Sequence, residues 1–227
     1  MNQNLNKKIL LEKWQLDSNK IISYYQARIK KSGISEKSLD WRDKEGSLKF
    51  FNYSIGIIDC AKVFSIFDVG CGTGNFYYFY KDKCNKKVQY TGIDIVPEFI
   101  NYVKNKNNSL DVKTENFLSF NPKAQYDLVI NLGGLNSKTR FFQKYLEYNI
   151  FKMYSMSKKY ILFNIIVETK DDYFGVNKTR KVGKITSIEE KKLINILGKI
   201  KKLGATYNIK KVSIFKGSFD AFVVINK

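Results

Sequence analysis

The chain has 227 residues, 44% of them hydrophobic and 15% aromatic, enough for one sizeable α/β domain, and no Pro/Gly/Ser-rich linker divides it. Lys and Arg number 40 against 21 acidic residues, a formal net charge of +19. Only Arg28, Arg42, Arg140 and Arg180 are arginines, so the excess is lysine, which argues against a surface built for bidentate phosphate contacts. Cys60, Cys71 and Cys84 have no histidine to join them, which supports neither a disulfide framework nor a zinc site.

From Leu10 to Lys31 the apolar residues Leu11, Trp14, Ile21, Ile22 and Tyr25 recur at helical spacing, predicting one or two amphipathic helices that Gly33 ends. The start, "MNQNLNKKILLEKWQLD", has too brief an apolar core for a secretory signal. The longest apolar run, "YILFNIIV" at 160–167, is too short for a membrane span and carries Asn164. A cytoplasmic protein without a membrane span is expected. An irregular stretch holding Trp41, Arg42, Lys44 and Lys49 leads into a helix from about Gly46 to Ala61. Trp41 reads as a packing residue between this segment and the sheet. Residues 1–61 are thus expected to form a helical cap, and 62–227 the core, of a single domain.

The stretch "SIFDVGCGTGNFYYFY", residues 65–80, predicts a buried strand, a glycine loop and a helix with Asn75 as its N-cap. Gly70, Gly72 and Gly74 give G-x-G-x-G, and the last glycine of a dinucleotide fingerprint would fall on Asn75, which argues against NAD or FAD. Bare main chain at the carboxyl end of a parallel strand lets a ligand approach closely. Asp68 adds a carboxylate for which a purely structural loop has no use. A second strand, "VQYTGIDI", ends at Asp94, 20 positions beyond Gly74.

"FDVGCGTG" resembles the first motif of the class I S-adenosylmethionine-dependent methyltransferases, in which an acid and a hydrophobic residue precede G-x-G-x-G. The resemblance implies a Rossmann-like α/β fold, with a seven-stranded, mostly parallel sheet in which only the last strand is reversed and helices on both faces. It implies S-adenosylmethionine as cofactor, and no metal is expected, since no histidine joins the three cysteines. Asp94 would accept hydrogen bonds from both ribose hydroxyls. Asp68, Gly70, Cys71, Gly72, Gly74 and Ile95 would complete that half of the site. "VKTENFLSF" matches the third strand and its loop, and puts Asn116, where an aspartate is common, beside Phe117 at the adenine. "YDLVINLGGLN", residues 126–136, matches the fourth strand, whose end from Asn131 to Asn136 would face the transferred methyl group. The "SLDW" stretch with its lysine-bearing loop is similar to small bacterial methyltransferases, some of them among surface-polysaccharide tailoring enzymes.

Pro97 opens a helix, "TRFFQKYLEYNIFKMYSM" continues as another before the strand "KYILFNIIVE", and "IEEKKLINILGKIKKLG" predicts a third. Two final strands joined by Lys216-Gly217-Ser218 complete an antiparallel hairpin. The polar run 171–184, with Lys178, Arg180, Lys181 and Lys184, is a candidate lid. With no histidine available, a base for a hydroxyl acceptor must be Asp, Glu, Tyr or Lys. The candidates are Tyr24 and Tyr25 on the first helix, Asn131 and Asn136 after the fourth strand, and Asp171, Asp172 and Tyr173 after the fifth. Asn131, as an orienting group, and Tyr25 stand first. The expected acceptor is a small anionic molecule such as a sugar or phosphorylated precursor of a surface glycan. The alternative is RNA or DNA, against which "NLGGLN" lacks the Asn/Asp-Pro-Pro-aromatic grip on a planar nitrogen.

Overall fold

A computed structural model describes residues 2–41, 43–168, 186–215 and 218–227. Its centre is β1 (Ser65–Val69), flanked by β2 (Gln89–Asp94) and β4 (Tyr126–Asn131) in parallel register, with Ile66 opposite both Tyr90 and Leu128. All of β1 and β4 is buried, which explains why both read as near-continuous apolar runs. The other strands are β3 (Asp111–Thr114), β5 (Ser157–Glu168), β6 (Ile188–Glu189), β7 (Thr206–Phe215) and β8 (Ser218–Asn226), and the order is β3-β2-β1-β4-β5-β8-β7. Only β8 runs against its neighbours on that path. The two-residue β6 pairs beside the end of β5 and makes an eighth strand that the sequence reading did not anticipate.

Six α-helices complete the described chain: α1 (Asn2–Ser32), α2 (Lys44–Ile55), α3 (Asn75–Cys84), α4 (Pro97–Lys106), α5 (Phe142–Met156) and α6 (Glu190–Lys201). Phe50, Phe76, Tyr80 and Val103 from α2, α3 and α4 pack one face of the sheet against Leu128 and Phe222. Leu146, Ile150, Leu193 and Ile200 from α5 and α6 pack the other against Val129 and Phe163. No helix among the described residues is long and apolar enough to cross a membrane.

Several boundaries differ from expectation for identifiable reasons. The amino-terminal segment is one helix, closed by Gly33 in the left-handed region with its N–H on the Ile29 carbonyl. Helix α2 starts at Lys44, because the Asp43 carboxylate accepts from the Gly46 N–H at 2.7 Å, and stops at Ile55 before a short 3-10 turn at Cys60–Lys62. The N-cap of α3 is Gly74 at φ 70°, not Asn75. Helix α5 begins at Phe142, because Phe141 takes a left-handed conformation.

Asp127 joins three strands at the end of the sheet opposite the glycine loop. Its carboxylate accepts from the Phe64 and Ser65 N–H groups and pairs with Lys159 of β5 at 3.1 Å. Although burial opposes it, those donors hold the Asp127 carboxyl below the usual carboxylate range.

Helix α1 lies across the carboxyl ends of the strands. Trp14, 2% exposed, donates its indole N–H to the Arg140 carbonyl at 2.7 Å and sets its ring 5.6 Å from those of Tyr145 and Tyr148. Asp17 beside it binds the Arg140 backbone N–H at 2.8 Å and the guanidinium at 3.0 Å. Trp14→Ala is expected to lower the unfolding free energy by about 3 kcal/mol, since it removes a buried indole and leaves the Arg140 carbonyl without that donor. Hydrogen exchange in α1 should then rise while the amides of β1 and β4 stay protected. Equal loss of protection across the sheet would contradict this.

Candidate active site

The carboxyl ends of β1, β2 and β4 open into a cavity of about 680 Å³ roofed by α1 and the Leu39–Trp41 segment. Its first wall is the glycine loop. Gly70, Gly72 and Gly74 all have positive φ (75°, 53° and 70°), the region in which a side chain would be strained. The loop is pinned from outside itself. Gly70 and Cys71 both donate to the Ile93 carbonyl of β2, at 2.8 and 3.0 Å. Space at the three glycines differs: a Cβ on Gly70 would meet nothing within 4 Å, while one on Gly72 would lie 2.9 Å from Leu39 Cδ2. Gly70 therefore leaves open room for a ligand, and Gly72 is where the cap rests on the loop.

Asp94 stands at the end of β2 with both oxygens in use. Oδ2 accepts from the Gly72 N–H at 2.9 Å and Oδ1 from the Val96 N–H at 2.8 Å, and each oxygen keeps a further lone pair. Burial pushes its carboxyl up to about 6 against those backbone donors. Asp68, at the end of β1, accepts from the Tyr90 hydroxyl at 2.6 Å. Burial raises it to about 7, and the charge of Asp94 adds to that rise. Ile95 lines the cavity next to Asp94.

Asn116 and Phe117 line the cavity after β3. Asn116 Oδ1 already accepts from the Leu118 N–H at 2.9 Å, and its amide nitrogen donates to Gln15 of α1 at 3.0 Å. A contact with an adenine amino group would have to use the second lone pair of that oxygen, while its second amide N–H stays available to a ring nitrogen. Lys152 lies 5.1 Å from the Phe117 ring centroid and donates to the Leu118 carbonyl, with its ammonium lowered to about 8 by burial.

Past the glycine loop the cavity reaches Asn131, which is buried at 4% exposure and whose Oδ1 has no hydrogen-bond partner. Gly134 makes this placement possible, since a Cβ there would come within 2.8 Å of that same oxygen. Asn136 has other duties: its Oδ1 accepts from the Ile166 N–H and its carbonyl from the Thr186 N–H, both at 2.8 Å. Two residues absent from the sequence-based candidates also lie here. Asn164 of β5 donates to Asp220 of β8 at 3.0 Å and accepts from the Gly133 N–H at 2.6 Å, so it braces the loop that follows β4. The signal for Asn164 was in the sequence, as the one amide inside an apolar run. Nothing comparable marks Asp220.

Tyr24 and Tyr25 both face the cavity but differ in setting. Tyr24 donates to the Asp40 carboxylate at 2.8 Å, and Arg28 pairs with the same carboxylate at 2.9 Å. Tyr25 packs edge-on to Phe99 at 5.9 Å. Burial first, then the charges of Asp40 and Asp94, drive the Tyr25 hydroxyl well above its ordinary value, so it suits a hydrogen-bond donor better than a base. Trp41 packs against Phe50 at 4.8 Å and Phe51 at 6.0 Å. Arg42 and the proposed lid, with Asp171, Asp172, Tyr173, Lys178, Arg180, Lys181 and Lys184, fall outside the described residues.

The described lining carries more acidic than basic side chains. Asp17, Asp40, Asp68, Asp94, Glu115 and Asp220 line the cavity against Lys20, Lys138 and Arg140, and Arg140 is already held by Asp17. The +19 of the chain as a whole does not appear in these described walls.

Residues 66–147 match a family profile described as a methyltransferase domain. No curated protein sequence matches the chain. Three similar solved structures place the fold. The plantazolicin methyltransferase BpumL, in complex with a triazolic desmethylPZN analog and SAH, superposes with a TM-score of 0.65 at 12% identity, over 96% of this chain and 98% of that one. The DhpI-SAM-HEP complex gives 0.62 at 12% identity, over 93% and 97%. Magnesium protoporphyrin IX methyltransferase from Synechocystis PCC 6803 with bound SAH gives 0.61 at 15% identity, over 81% and 84%. The fold is that of the class I methyltransferases.

Because Asp68 and Asp94 hold protons to about 7 and about 6, the folded chain binds more protons than the unfolded one from about pH 4 to about pH 7. The two carboxyls therefore make stability fall as pH rises through that window. Without added cofactor, Asp68→Asn should shrink the gap between urea midpoints at about pH 5 and about pH 8, chiefly by raising the midpoint at the higher pH. The amide oxygen can still accept from Tyr90. An unchanged gap would show that Asp68 does not titrate differently in the folded and unfolded states.

Proposed function

We propose that this S-adenosylmethionine-dependent methyltransferase acts on a small neutral or cationic acceptor, which binds between Asn131 and Asp220. The observation that carries the reading is the single cavity running from Asp94, past Gly70, to the unpartnered oxygen of Asn131 and the Asn164–Asp220 pair. The residues present fit the cofactor: open space at Gly70, a buried acid with spare lone pairs at Asp94, and an orphaned buried acceptor at Asn131. When bound, S-adenosylmethionine supplies an electrophilic sulfonium methyl group, and the remaining work falls to positioning by the chain.

Asp94 is suited to accept from the ribose hydroxyls, with Ile95 beside it. Asn116 and Phe117 would border the adenine, while Asp68, Gly70, Cys71, Gly72 and Gly74 shape the opposite side. Asn131 Oδ1 would accept an X–H bond of the acceptor or an amino group of the cofactor. Either contact would give that oxygen the partner it lacks within the chain. Asp220, fixed by Asn164, would hold a cationic acceptor or take the proton released when a neutral nitrogen or oxygen is methylated. Tyr25 would donate from the roof. The aromatic walls of Trp41, Phe50 and Phe76 favour an acceptor with a substantial apolar body.

The similar structures leave acceptor chemistry open, since their names and ligands include magnesium protoporphyrin IX and a desmethylPZN analog. The carboxylates around the cavity are the reason to prefer a neutral or cationic molecule to the glycan precursor that the resemblance of the "SLDW" stretch implies.

Calorimetric titration with SAH should give saturable binding that Asp94→Ala weakens by roughly tenfold or more, as expected for losing charge-assisted hydrogen bonds. Affinity should also drop below about pH 6, because a protonated Asp94 accepts poorly. Pocket binding independent of both would remove Asp94 from the site. Methyl transfer from radiolabelled cofactor to fractionated cell extract then identifies the acceptor class. Label is expected in neutral or cation-exchange-retained small molecules. Asp220→Asn should abolish most of it, about a hundredfold, with SAH affinity unchanged. Label in anion-exchange-retained metabolites would restore the anionic reading, and label in the polymer fraction would favour nucleic acid.

A further inference from the structure

Away from the cavity, two cysteines that the sequence leaves unrelated are in contact. Cys60 opens the 3-10 turn before β1, and Cys84 is the last residue of α3. Both thiols are free and partly exposed, with their sulfur atoms 2.6 Å apart and the Cys84 thiol donating to the Cys60 sulfur. Two further contacts hold the same segments together independently of sulfur. The Tyr80 hydroxyl donates to the Cys60 carbonyl at 3.4 Å, and the Lys86 ammonium donates to the Ala61 carbonyl at 2.8 Å. The two sulfurs are thus held in contact by the surrounding chain before any bond forms between them. The third cysteine, Cys71, is buried in the glycine loop and lies outside this contact.

We propose that Cys60 and Cys84 form a redox modification site, at which a hydroperoxide joins them in a disulfide that staples the turn before β1 to the end of α3. The segment between them contains β1, the glycine loop and α3, the whole of the first cofactor-binding motif. Cys60 is the attacking sulfur: with hydrogen peroxide it gives an electron pair to one peroxide oxygen, the O–O bond breaks, the other oxygen leaves as water carrying the Cys60 proton, and Cys60 becomes a sulfenic acid. Cys84 then attacks the Cys60 sulfur, the S–S bond forms, and the hydroxyl departs as a second water with the Cys84 proton. Two thiols are oxidised by two electrons as one peroxide bond is reduced. The assignment of roles follows from the hydrogen bond, since burial and the contact with Cys60 keep the proton on Cys84, raised to about 12, until it resolves the sulfenic acid.

The purified full chain should be treated with hydrogen peroxide and analysed by thiol titration under denaturing conditions, intact mass and peptide mapping. Titratable thiols should fall from three to one, the mass should drop by two hydrogens, and a cross-linked peptide pair should contain Cys60 and Cys84. The melting temperature should rise by several degrees and return with dithiothreitol, because the cross-link constrains the unfolded chain. Cys60→Ser and Cys84→Ser should each lose the mass change and the thermal shift. The wild-type map alone decides the case if either variant folds poorly. Independent conversion of both cysteines to sulfinic acids without a cross-link, or a cross-link to Cys71, would overturn the proposal. SAH binding does not enter the map, so the outcome stands apart from the assignment of the cavity.

Discussion

The carboxylate of Asp94 is the constraint on which the site's geometry rests. One oxygen takes the N–H of Gly72 and the other the N–H of Val96, so a single buried acid fixes the glycine loop after β1 and the turn into α4. Burying a carboxylate is costly unless its oxygens are satisfied, and here the donors are backbone groups that would otherwise lack partners. Three residues in left-handed conformations have little local reason to hold one shape. They are held by the neighbouring strand, through Asp94 and through the Ile93 carbonyl that receives Gly70 and Cys71. The parallel pairing of β1 with β2 therefore shapes the glycine loop as well as the core.

A second organising feature is the separation of charge. Lysines dominate the chain, yet the described cavity walls carry more acids than bases. Two of those acids are engaged in fastening the roof. Asp17 ties α1 to Arg140, and Asp40 receives Tyr24 and Arg28 from the same helix. The rest of the carboxyl set stands beside the path that a sulfonium donor and its acceptor would occupy. In a low-dielectric enclosure their preference for positive charge is stronger than the same groups would show on the surface.

The fold was legible in the sequence wherever one residue type has one physical use. Gly70, Gly72 and Gly74 after an apolar run marked the loop, and Asp68 and Asp94 marked the strand ends, because an acid in such runs needs a reason. The two-residue strand β6 was not legible, since its pairing with β5 depends on tertiary placement. Asn131 could be found from its position after the fourth strand. Asp220 could not, because the residues that give it meaning are Asn164, 56 positions away, and the loop at Gly133. The Cys60–Cys84 contact was hidden for the same reason, 24 positions separating partners that β1 and α3 fold back together. Net charge says least about the site, because a sum over the chain does not tell which residues line a cavity.

The connection between β5 and β6 has a consequence for how such a protein can change. The chain leaves the sheet at Glu168 and rejoins it in the adjacent lane at Ile188, with the Ser187 hydroxyl on the Glu168 carboxylate and Thr186 bonded to Asn136. Thr186 bonds to the carbonyl of the same Asn136 whose side-chain oxygen receives the Ile166 N–H, so the end of β5, the start of β6 and the loop after β4 share one fastening beside the cavity. A change at Asn136 therefore reaches all three together.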